Sequence, residues 1–311
     1  MFFENFEEFL KQLVLPSGEL FGKLDGFVFR GLSSGKHELI PTALREGSRE
    51  RLWSLVTADE ATKELEYWQI QAEYSLIREF YRIANQKGLK VPRIKSISNN
   101  YATLVPFELF IQENNYLWID EEFEELVAFA QHYGLPTRML DWTFDVNVAM
   151  YFASSGAAKR YYEEGEKREK DVMVIWALNA QFYQMCHPRP IVQAPLAFVV
   201  PSYSDNPNVR AQKGILSHWR IEVPGTRSGS TGMQLKKIDR TPLDQLLAKD
   251  CASPFYNQMV MLYKFIIPQE EMVNMYHYVH KMGYGAASLF PGYAGVVKEI
   301  TENKIIKSIQ E

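Results

Sequence analysis

The 311-residue chain has few cysteines, no surplus of positive charge and no long uncharged hydrophobic run. Its cysteines, Cys186 and Cys251, belong to no Cys-x-x-Cys pair or Cys/His cluster, so we expect two reduced core thiols rather than a bridge, and no metal site. The first residues, MFFENFEEFLKQL, lack the basic start and continuous apolar run of a secretory signal. No uncharged stretch approaches the ~20 residues of a transmembrane helix. We therefore expect a cytoplasmic protein without a membrane segment.

Acidic and basic residues nearly balance, with 34 Lys+Arg against 38 Asp+Glu and a formal net charge of −4. A protein that wraps nucleic acid needs a surplus of Lys and Arg, so bulk charge does not indicate a nucleic-acid partner. The Walker A loop, the Rossmann Gly-x-Gly-x-x-Gly and the Gly-x-Ser-x-Gly elbow are also missing from the sequence. These absences remove the commonest signals of NTPases, dinucleotide dehydrogenases and α/β-hydrolases.

Hydrophobic periodicity predicts long helices early in the chain and strands later. Helices are predicted at residues 1–15, 59–86, 121–133 and 146–162, and strands at 172–178, 215–223 and 259–267, with later helices at 242–249 and 268–282. A short strand at 26–31 precedes the first long helix. No Pro/Gly/Ser linker divides the chain, so we predict one α+β domain over residues 1–311. Its helical N-terminal part would pack on a central mixed or antiparallel β-core.

The first candidate for chemistry is Phe29-Arg30-Gly31, at the end of the first predicted strand. A strand fixes a guanidinium in place, and its fork can grip a phosphate or carboxylate at two points. Gly31 would let a ligand approach the backbone. The tripeptide is equally compatible with an arginine that pairs with an internal carboxylate or lies at the surface.

A denser candidate is the segment 134–143, GLPTRMLDWT. Gly134 suits the end of the preceding helix, and Pro136 prevents that helix from resuming. Several polar or aromatic groups follow before the next helix: Thr137, Arg138, Asp141, Trp142, Thr143 and Asp145. Such a helix start offers free N–H groups to an anion. A structural interpretation stays open, in which Asp141 pairs with Arg138 and either Thr143 or Asp145 caps the helix.

Two later segments are weaker candidates. Residues 208–219 form a polar loop that enters a predicted strand and contain Gln212, with Glu222 in the same strand region. Residues 288–295 combine turn residues with an aromatic pair and are more typical of a core turn than of a site.

Taken in order, these segments resemble the FRG domain family. The aromatic-Arg-Gly motif of that family corresponds to Phe29-Arg30-Gly31, and its most characteristic stretch resembles residues 131–143 together with 148–153. Weaker similarities at 210–214 and 288–291 follow in the same order. The resemblance spans about residues 24–300. Such domains recur in bacteria and phages, often near defence-type genes, which implies a role in bacterial or phage defence.

The FRG family is distantly similar to the ADP-ribosyltransferase superfamily, and that similarity implies an ADP-ribosyltransferase-like fold with NAD as substrate and no metal. A strand arginine would hold the phosphate and ribose, a Ser/Thr-rich element would support it, and an aromatic ring would stack on the ligand. The binding residues implied in this way are Arg30, Gly31, Tyr133, Thr137, Arg138, Trp142 and Thr143.

The same resemblance implies catalytic roles for four residues: Arg30, Asp141, Gln212 and Glu222. Asp141 would bond ribose hydroxyls or favour the positive charge that develops on the ribose. Gln212, which carries no charge, stands where a glutamate is usual in the superfamily, and Glu222 is the nearby substitute. The alternative is therefore a non-catalytic module that senses a nucleotide or a phage component. A small-molecule nucleotide is the expected partner in either case.

Overall fold

A computed structural model of the chain describes residues 1–98, 107, 111, 117–164, 171–186, 195–204, 206–224, 236–250 and 260–311. Cys251 and the first residue of the strand predicted at 259–267 lie outside the described residues. The described helices are α1 Phe6–Val14, α2 Arg49–Leu52, α3 Glu66–Gln86, α4 Lys95–Ser98, α5 Glu121–His132, α6 Val146–Glu164, α7 Ala180–Cys186, α8 Pro207–Ala211, α9 Leu243–Asp250, α10 Met272–Lys281, α11 Ala286–Leu289 and α12 Tyr293–Gln310. None of them is both long and apolar enough to cross a membrane.

An antiparallel sheet forms the centre of the fold. The strands are β1 Phe27–Leu32, β2 Leu117–Trp118, β3 Met139–Thr143, β4 Val172–Asn179, β5 Leu196–Val199, β6 Gly214–Trp219, β7 Ile221–Glu222 and β8 Leu262–Pro268. Six of them form one sheet in the order β5-β6-β3-β1-β4-β8, while β2 and β7 form a separate ladder. Every neighbouring pair in the large sheet is antiparallel. The predicted β-core is thus confirmed in its antiparallel form.

The N-terminal segment is fixed to the sheet by its aromatic residues. The side chain of Asn5 accepts a hydrogen bond from the Glu8 amide and caps α1, so the helix predicted at 1–15 is present but begins at Phe6. Phe3 and Phe9 lie 5.1 Å apart between ring centroids, and Phe9 packs 5.6 Å from Phe265 of β8. Edge-to-face contacts of this kind add about 0.5–1.5 kcal/mol each to the area that the rings bury.

Helix α6 lies directly against β1, and this contact requires a glycine in the strand. A Cβ atom placed on Gly31 would stand 1.8 Å from the carbonyl oxygen of Ala149 in α6. Gly31 therefore lets a helix and a strand approach closely, a packing role in addition to the ligand access predicted for it. The apolar side of α6 also contributes Val148 and Ala153 to the largest core cluster.

Two more of the predicted helices begin later than predicted. The helix predicted at 59–86 begins at Glu66, because Asp59 caps a 3-10 turn at Thr62–Glu64 and Leu65 is extended. The helix predicted at 268–282 begins at Met272, because β8 extends to Pro268 and a 3-10 turn follows. The third long helix begins as predicted at Val146, with Asp145 as its cap: the Asp145 carboxylate accepts from the Asn147 amide at 2.9 Å.

The segment interpreted as a turn between two helices contains a central strand. Residues of β3 pair with β6 from Met139↔His218 to Thr143↔Gly214. Leu140 and Trp142 are buried in one core cluster, whereas Asp141 between them is exposed. This alternation is the period of a half-buried strand. Strand β5 and the C-terminal helix α12 were also not predicted.

Candidate functional site

The site lies where the two central strands β1 and β3 separate. Strand β1 pairs with β4 along its whole length, but it pairs with β3 only at Phe29↔Thr143. Beyond that pair a cavity of about 490 Å³ has both strands in its wall. The cavity is also bordered by α5, α6 and the loop that enters β6: Gln131, His132, Val148, Ala149, Phe152, Asn208 and Gln212. The opening in the sheet thus places groups from several distant parts of the chain around one space.

Arg30 occupies this opening and is held by the backbone of the other strand. Its Nη1 donates to the carbonyl oxygen of Asp141 at 2.5 Å, and the side chain is only 17% exposed. The nearest carboxylate oxygen, Asp141 Oδ2, is 3.8 Å from Nη1, and Nε is buried without a hydrogen-bond partner among the described residues. Arg30 thus forms only a long ion pair with Asp141, and a guanidinium without a hydrogen bond to a carboxylate keeps donors for an anion.

Burial is the main influence on the charge of Arg30. It lowers the pKa of the guanidinium from its usual value, the neighbouring Asp141 raises it, and Arg45 lowers it further. An arginine remains protonated in spite of such shifts. A desolvated cation beside a second cation is a costly arrangement unless an anion joins it, and perturbed groups of this kind concentrate at functional sites.

Asp141 presents its carboxylate to the cavity and is oriented by a short chain of side chains. Gln131 Nε2 donates to Asp141 Oδ1 at 2.7 Å. The amide oxygen of Gln131 in turn accepts a hydrogen bond from the hydroxyl of Thr137. Asp141 is 69% exposed, so it can reach a ligand without moving. Thr137, implied as a binding residue, is buried and acts on the site through Gln131.

His132 adds a neutral polar group to the same wall. Burial lowers the pKa of its imidazole below the usual 6.5, and Asp141 opposes this shift only in part. The ring is therefore largely uncharged at neutral pH and can accept a proton or a hydrogen bond. His132 was not among the predicted site residues, although it stands directly before Tyr133 in the most characteristic segment.

An aromatic pair forms the opposite, apolar part of the cavity. The ring of Phe152 on α6 stands perpendicular to Phe290, with centroids 6.1 Å apart. Phe152 is 37% exposed, which is unusual for a phenylalanine in a helix that buries most of its length. An exposed face of an aromatic ring next to a cation site suits a ligand that carries both a planar ring and a phosphate.

Thr143 and Gln212 close the cavity where the two strands still pair. The hydroxyl of Thr143 donates to the carbonyl of Gln212 at 2.7 Å and accepts from the Asp145 amide at 3.0 Å. The Gln212 amide group donates to the carbonyl of Leu289 at 3.1 Å. Both residues border the cavity as predicted, but these hydrogen bonds hold the loop before β6 against β3 and α11.

Residues 25–162 match the family model described as FRG domain. The chain carries an FRG domain. No curated protein and no solved structure showed a match to the chain. The matched range contains Arg30, Asp141 and Phe152, whereas Gln212 and Phe290 lie beyond it. The resemblance stated for residues 24–300 is therefore confirmed over 25–162.

The FRG domain does not bring all of its predicted site residues to this cavity. Arg138 is 6% exposed and forms ion pairs with Glu66 at 2.6 Å and Glu73 at 2.8 Å. The alternative pairing of Asp141 with Arg138 is wrong, because Asp141 lies beside Arg30. Arg138 and Glu222 border a different cavity, of about 280 Å³, that contains neither Arg30 nor Asp141. Arg138 is thus placed as part of a buried ion network rather than at the proposed ligand.

The two predicted stacking residues of the FRG domain also have other surroundings. Tyr133 is exposed at the end of α5, packs edge-on against Phe129 and does not border the cavity. Trp142 borders it but is 3% exposed, and its indole N–H donates to the Ser217 hydroxyl at 2.8 Å. Phe152 is the ring that the structure offers for stacking, and it lies in the 148–153 stretch on which the resemblance drew.

Proposed function

We propose that the FRG-domain cavity binds NAD and that the protein cleaves the bond between nicotinamide and ribose, transferring ADP-ribose to water or to an acceptor. The observation that carries this proposal is the Arg30 guanidinium, which is anchored by a carbonyl, desolvated and paired with the Asp141 carboxylate only at 3.8 Å. We name NAD among the possible phosphate ligands because the FRG family is distantly similar to ADP-ribosyltransferases. That similarity is an analogy at the level of the fold.

The chemical character of the walls supports one arrangement of the ligand. A phosphate group lies on Arg30, whose fork binds phosphate oxygens. Ribose hydroxyls donate to the exposed Asp141 carboxylate, which Gln131 holds in place. A planar base packs on the exposed ring of Phe152. Binding several parts of the ligand at once fixes the scissile bond relative to the carboxylate.

The reaction requires little more than positioning and electrostatics. The glycosidic bond between ribose C1′ and the nicotinamide nitrogen breaks, and its electron pair neutralises the pyridinium ring. Positive charge develops on the ribose, and the negative Asp141 carboxylate stabilises that charge. A nucleophile oxygen then bonds to C1′ and loses a proton, which the neutral imidazole of His132 at the same wall can accept. The products are nicotinamide, one proton and either free ADP-ribose, when water is the nucleophile, or the ADP-ribosylated acceptor.

The direct test is incubation of the purified protein with NAD, followed by quantification of nicotinamide and ADP-ribose by chromatography. Nicotinamide release that rises with protein concentration supports the proposal. Absence of release both alone and with a lysate as a source of acceptors, at NAD concentrations that saturate binding, contradicts it.

A second candidate function, a nucleotide- or phage-component-sensing module without catalysis, has its own supporting observation. Asp141 is the only carboxylate among the described residues that border the cavity, and the nearby Gln212 is uncharged with its amide bonded to Leu289. Calorimetry separates the two functions: stoichiometric binding of both NAD and ADP-ribose with unchanged NAD at the end favours the sensor.

Replacement of Asp141 by asparagine is expected to lower kcat for nicotinamide release by about 10–100-fold, with the Kd for NAD within about threefold of the wild type. The amide keeps the shape and hydrogen bonds but not the negative charge, which matters most when the ribose becomes positive. Single-turnover kinetics and calorimetry measure the two quantities. Glu270→Gln, an exposed change outside the cavity, is the matched control. If Asp141→Asn and Glu270→Gln lower kcat by the same small factor, the negative charge of Asp141 has no role in the reaction.

Replacement of Phe152 by alanine is expected to weaken NAD binding about 10-fold and to leave the binding of inorganic pyrophosphate unchanged. A base stacked on an aromatic ring contributes about 1–3 kcal/mol, and pyrophosphate has no ring to stack. Phe144→Ala removes a phenylalanine of similar exposure that does not border the cavity. If both ligands weaken equally in Phe152→Ala, the ring supports the cavity wall instead of contacting the ligand.

A further inference from the structure

A smaller cavity adjoins the first one at Arg30. It has a volume of about 280 Å³ and shares Arg30, Leu32 and His37 with the larger cavity. Arg45 belongs to its wall, although it was not a predicted site residue. The ligand space therefore continues past the first guanidinium to a second one.

The backbone that carries Arg45 is fixed from two sides. The Ala43 amide donates to the Thr137 carbonyl at 2.9 Å, and Gln69 Nε2 donates to the Ala43 carbonyl at 2.8 Å. These bonds connect the 3-10 turn at Thr42–Leu44 to the segment that enters β3 and to helix α3. The position of Arg45 relative to the site is thus set by the fold.

The Arg45 side chain repeats the arrangement seen at Arg30. Its Nε donates to the carbonyl of Ile40 at 2.8 Å, so a backbone oxygen orients the guanidinium. No carboxylate of the described residues lies within ion-pair distance of it, and its two terminal nitrogens have no hydrogen bond to a described residue. Each arginine is therefore held by a carbonyl and keeps donors for an acceptor from outside the protein.

The charges around the smaller cavity favour an anion with more than one negative charge. Arg30, Arg45 and Lys36 face Glu38 at its wall, with His37 beside them. Burial lowers the pKa of Arg45, and Asp141 partly opposes that shift, while Arg45 itself contributes to the lowered pKa of Arg30. Because the positive charge of Arg45 disfavours that of Arg30, a ligand that neutralises both guanidinium groups is favoured.

We infer that Arg30 and Arg45 form a two-arginine clamp for two adjacent anionic groups, so that the cavity selects diphosphate esters over monophosphates. This inference rests on the proposed function, because it names the ligand class of the same site. A monophosphate engages one guanidinium, whereas the second phosphate of a nucleoside diphosphate reaches the other. Selectivity then comes from the number of charge-assisted hydrogen bonds that each ligand completes.

Calorimetric titration of ADP and AMP against the wild type and Arg45→Ala tests the clamp. The wild type should bind ADP at least about 10-fold more tightly than AMP, because the second phosphate of ADP completes one more charge-assisted contact. In Arg45→Ala the ratio should fall below about threefold, with little change for AMP. Arg45→Lys keeps the charge without the fork and should give an intermediate ratio. An unchanged ratio in a folded Arg45→Ala protein, or no ADP preference in the wild type, overturns the inference.

Parallel measurements separate this inference from the proposed function. Titrations with inorganic phosphate and pyrophosphate show whether the preference for two phosphates persists without a base. An Arg45-dependent preference in a protein that never cleaves NAD supports the clamp and contradicts the enzyme. NAD cleavage together with an ADP preference that does not depend on Arg45 supports the enzyme and overturns the clamp.

Discussion

Replacing Arg30 with alanine is expected to weaken ADP-ribose binding by at least about 100-fold while the protein stays folded. Two hydrogen bonds from a guanidinium to phosphate contribute about 1.5–3 kcal/mol each, and about 2.8 kcal/mol corresponds to a 100-fold change in Kd. Calorimetric titration measures the loss. Arg30→Lys retains the positive charge without the planar fork and should lie between the alanine variant and the wild type.

The structure explains why this large change in binding need not disturb folding. The Arg30 guanidinium donates a hydrogen bond to the Asp141 carbonyl at the cavity wall, where water can replace it. The Asp141 carboxylate is mostly exposed and keeps its bond from Gln131, so no buried charge is stranded. Arg82→Ala, which removes an arginine bonded to Glu79 and Gln86 on α3, controls for lost charge. Near-normal ADP-ribose affinity in Arg30→Ala would remove Arg30 from the site.

Replacing Arg138 with methionine is expected to lower the free energy of unfolding by about 3–5 kcal/mol, the usual cost of removing one member of a buried ion pair. The change leaves Glu66 and Glu73, both 3% exposed in their side chains, without their shared cation. Glu73 keeps a bond from the Trp118 indole at 2.7 Å, which offsets only part of the loss. Denaturant unfolding followed by circular dichroism measures the difference.

The pH dependence of the Arg138→Met variant offers an internal check. Burial raises the pKa of Glu73 in the folded protein, and Arg138 opposes that shift, so its removal raises the pKa further. A carboxyl with a raised folded-state pKa binds its proton more tightly in the folded state, so acidification favours folding. The stability deficit should therefore shrink as the pH falls from 7 towards 5. Adding Glu73→Gln to the Arg138→Met variant should recover part of the lost stability at pH 7, because the amide removes the buried negative charge. Unchanged stability with loss of ADP-ribose binding would restore Arg138 as a ligand residue.

Local patterns in the sequence were sufficient for the helices with clear caps and for the long strands. Gly134 ends α5 with φ +89° as predicted, and the run at Val172–Asn179 is a strand buried on both sides. The five-residue strand Met139–Thr143 was not predicted, because the preceding Pro136 and the following helix cap suggest a turn. The alternation of apolar Leu140 and Trp142 with polar Asp141 and Thr143 was the available signal.

A site residue was predictable only where it belongs to a short continuous motif of its own. Arg30 and Asp141 were both selected from the sequence, and the structure brings them together across the opening between β1 and β3. The partners of Arg138 come from α3, more than sixty residues away in the chain, and no local pattern reveals such a pairing. Arg45 and Phe152 were missed because one looks like a surface arginine and the other like a core residue of a helix.

A crystal structure of the protein with ADP-ribose bound would show the position of the ligand itself. We expect a phosphate group within about 3 Å of the Arg30 guanidinium, ribose hydroxyls at Asp141 and a base against Phe152. A ligand bound in the separate cavity beside Arg138, with the opening at Arg30 empty, would contradict this expectation.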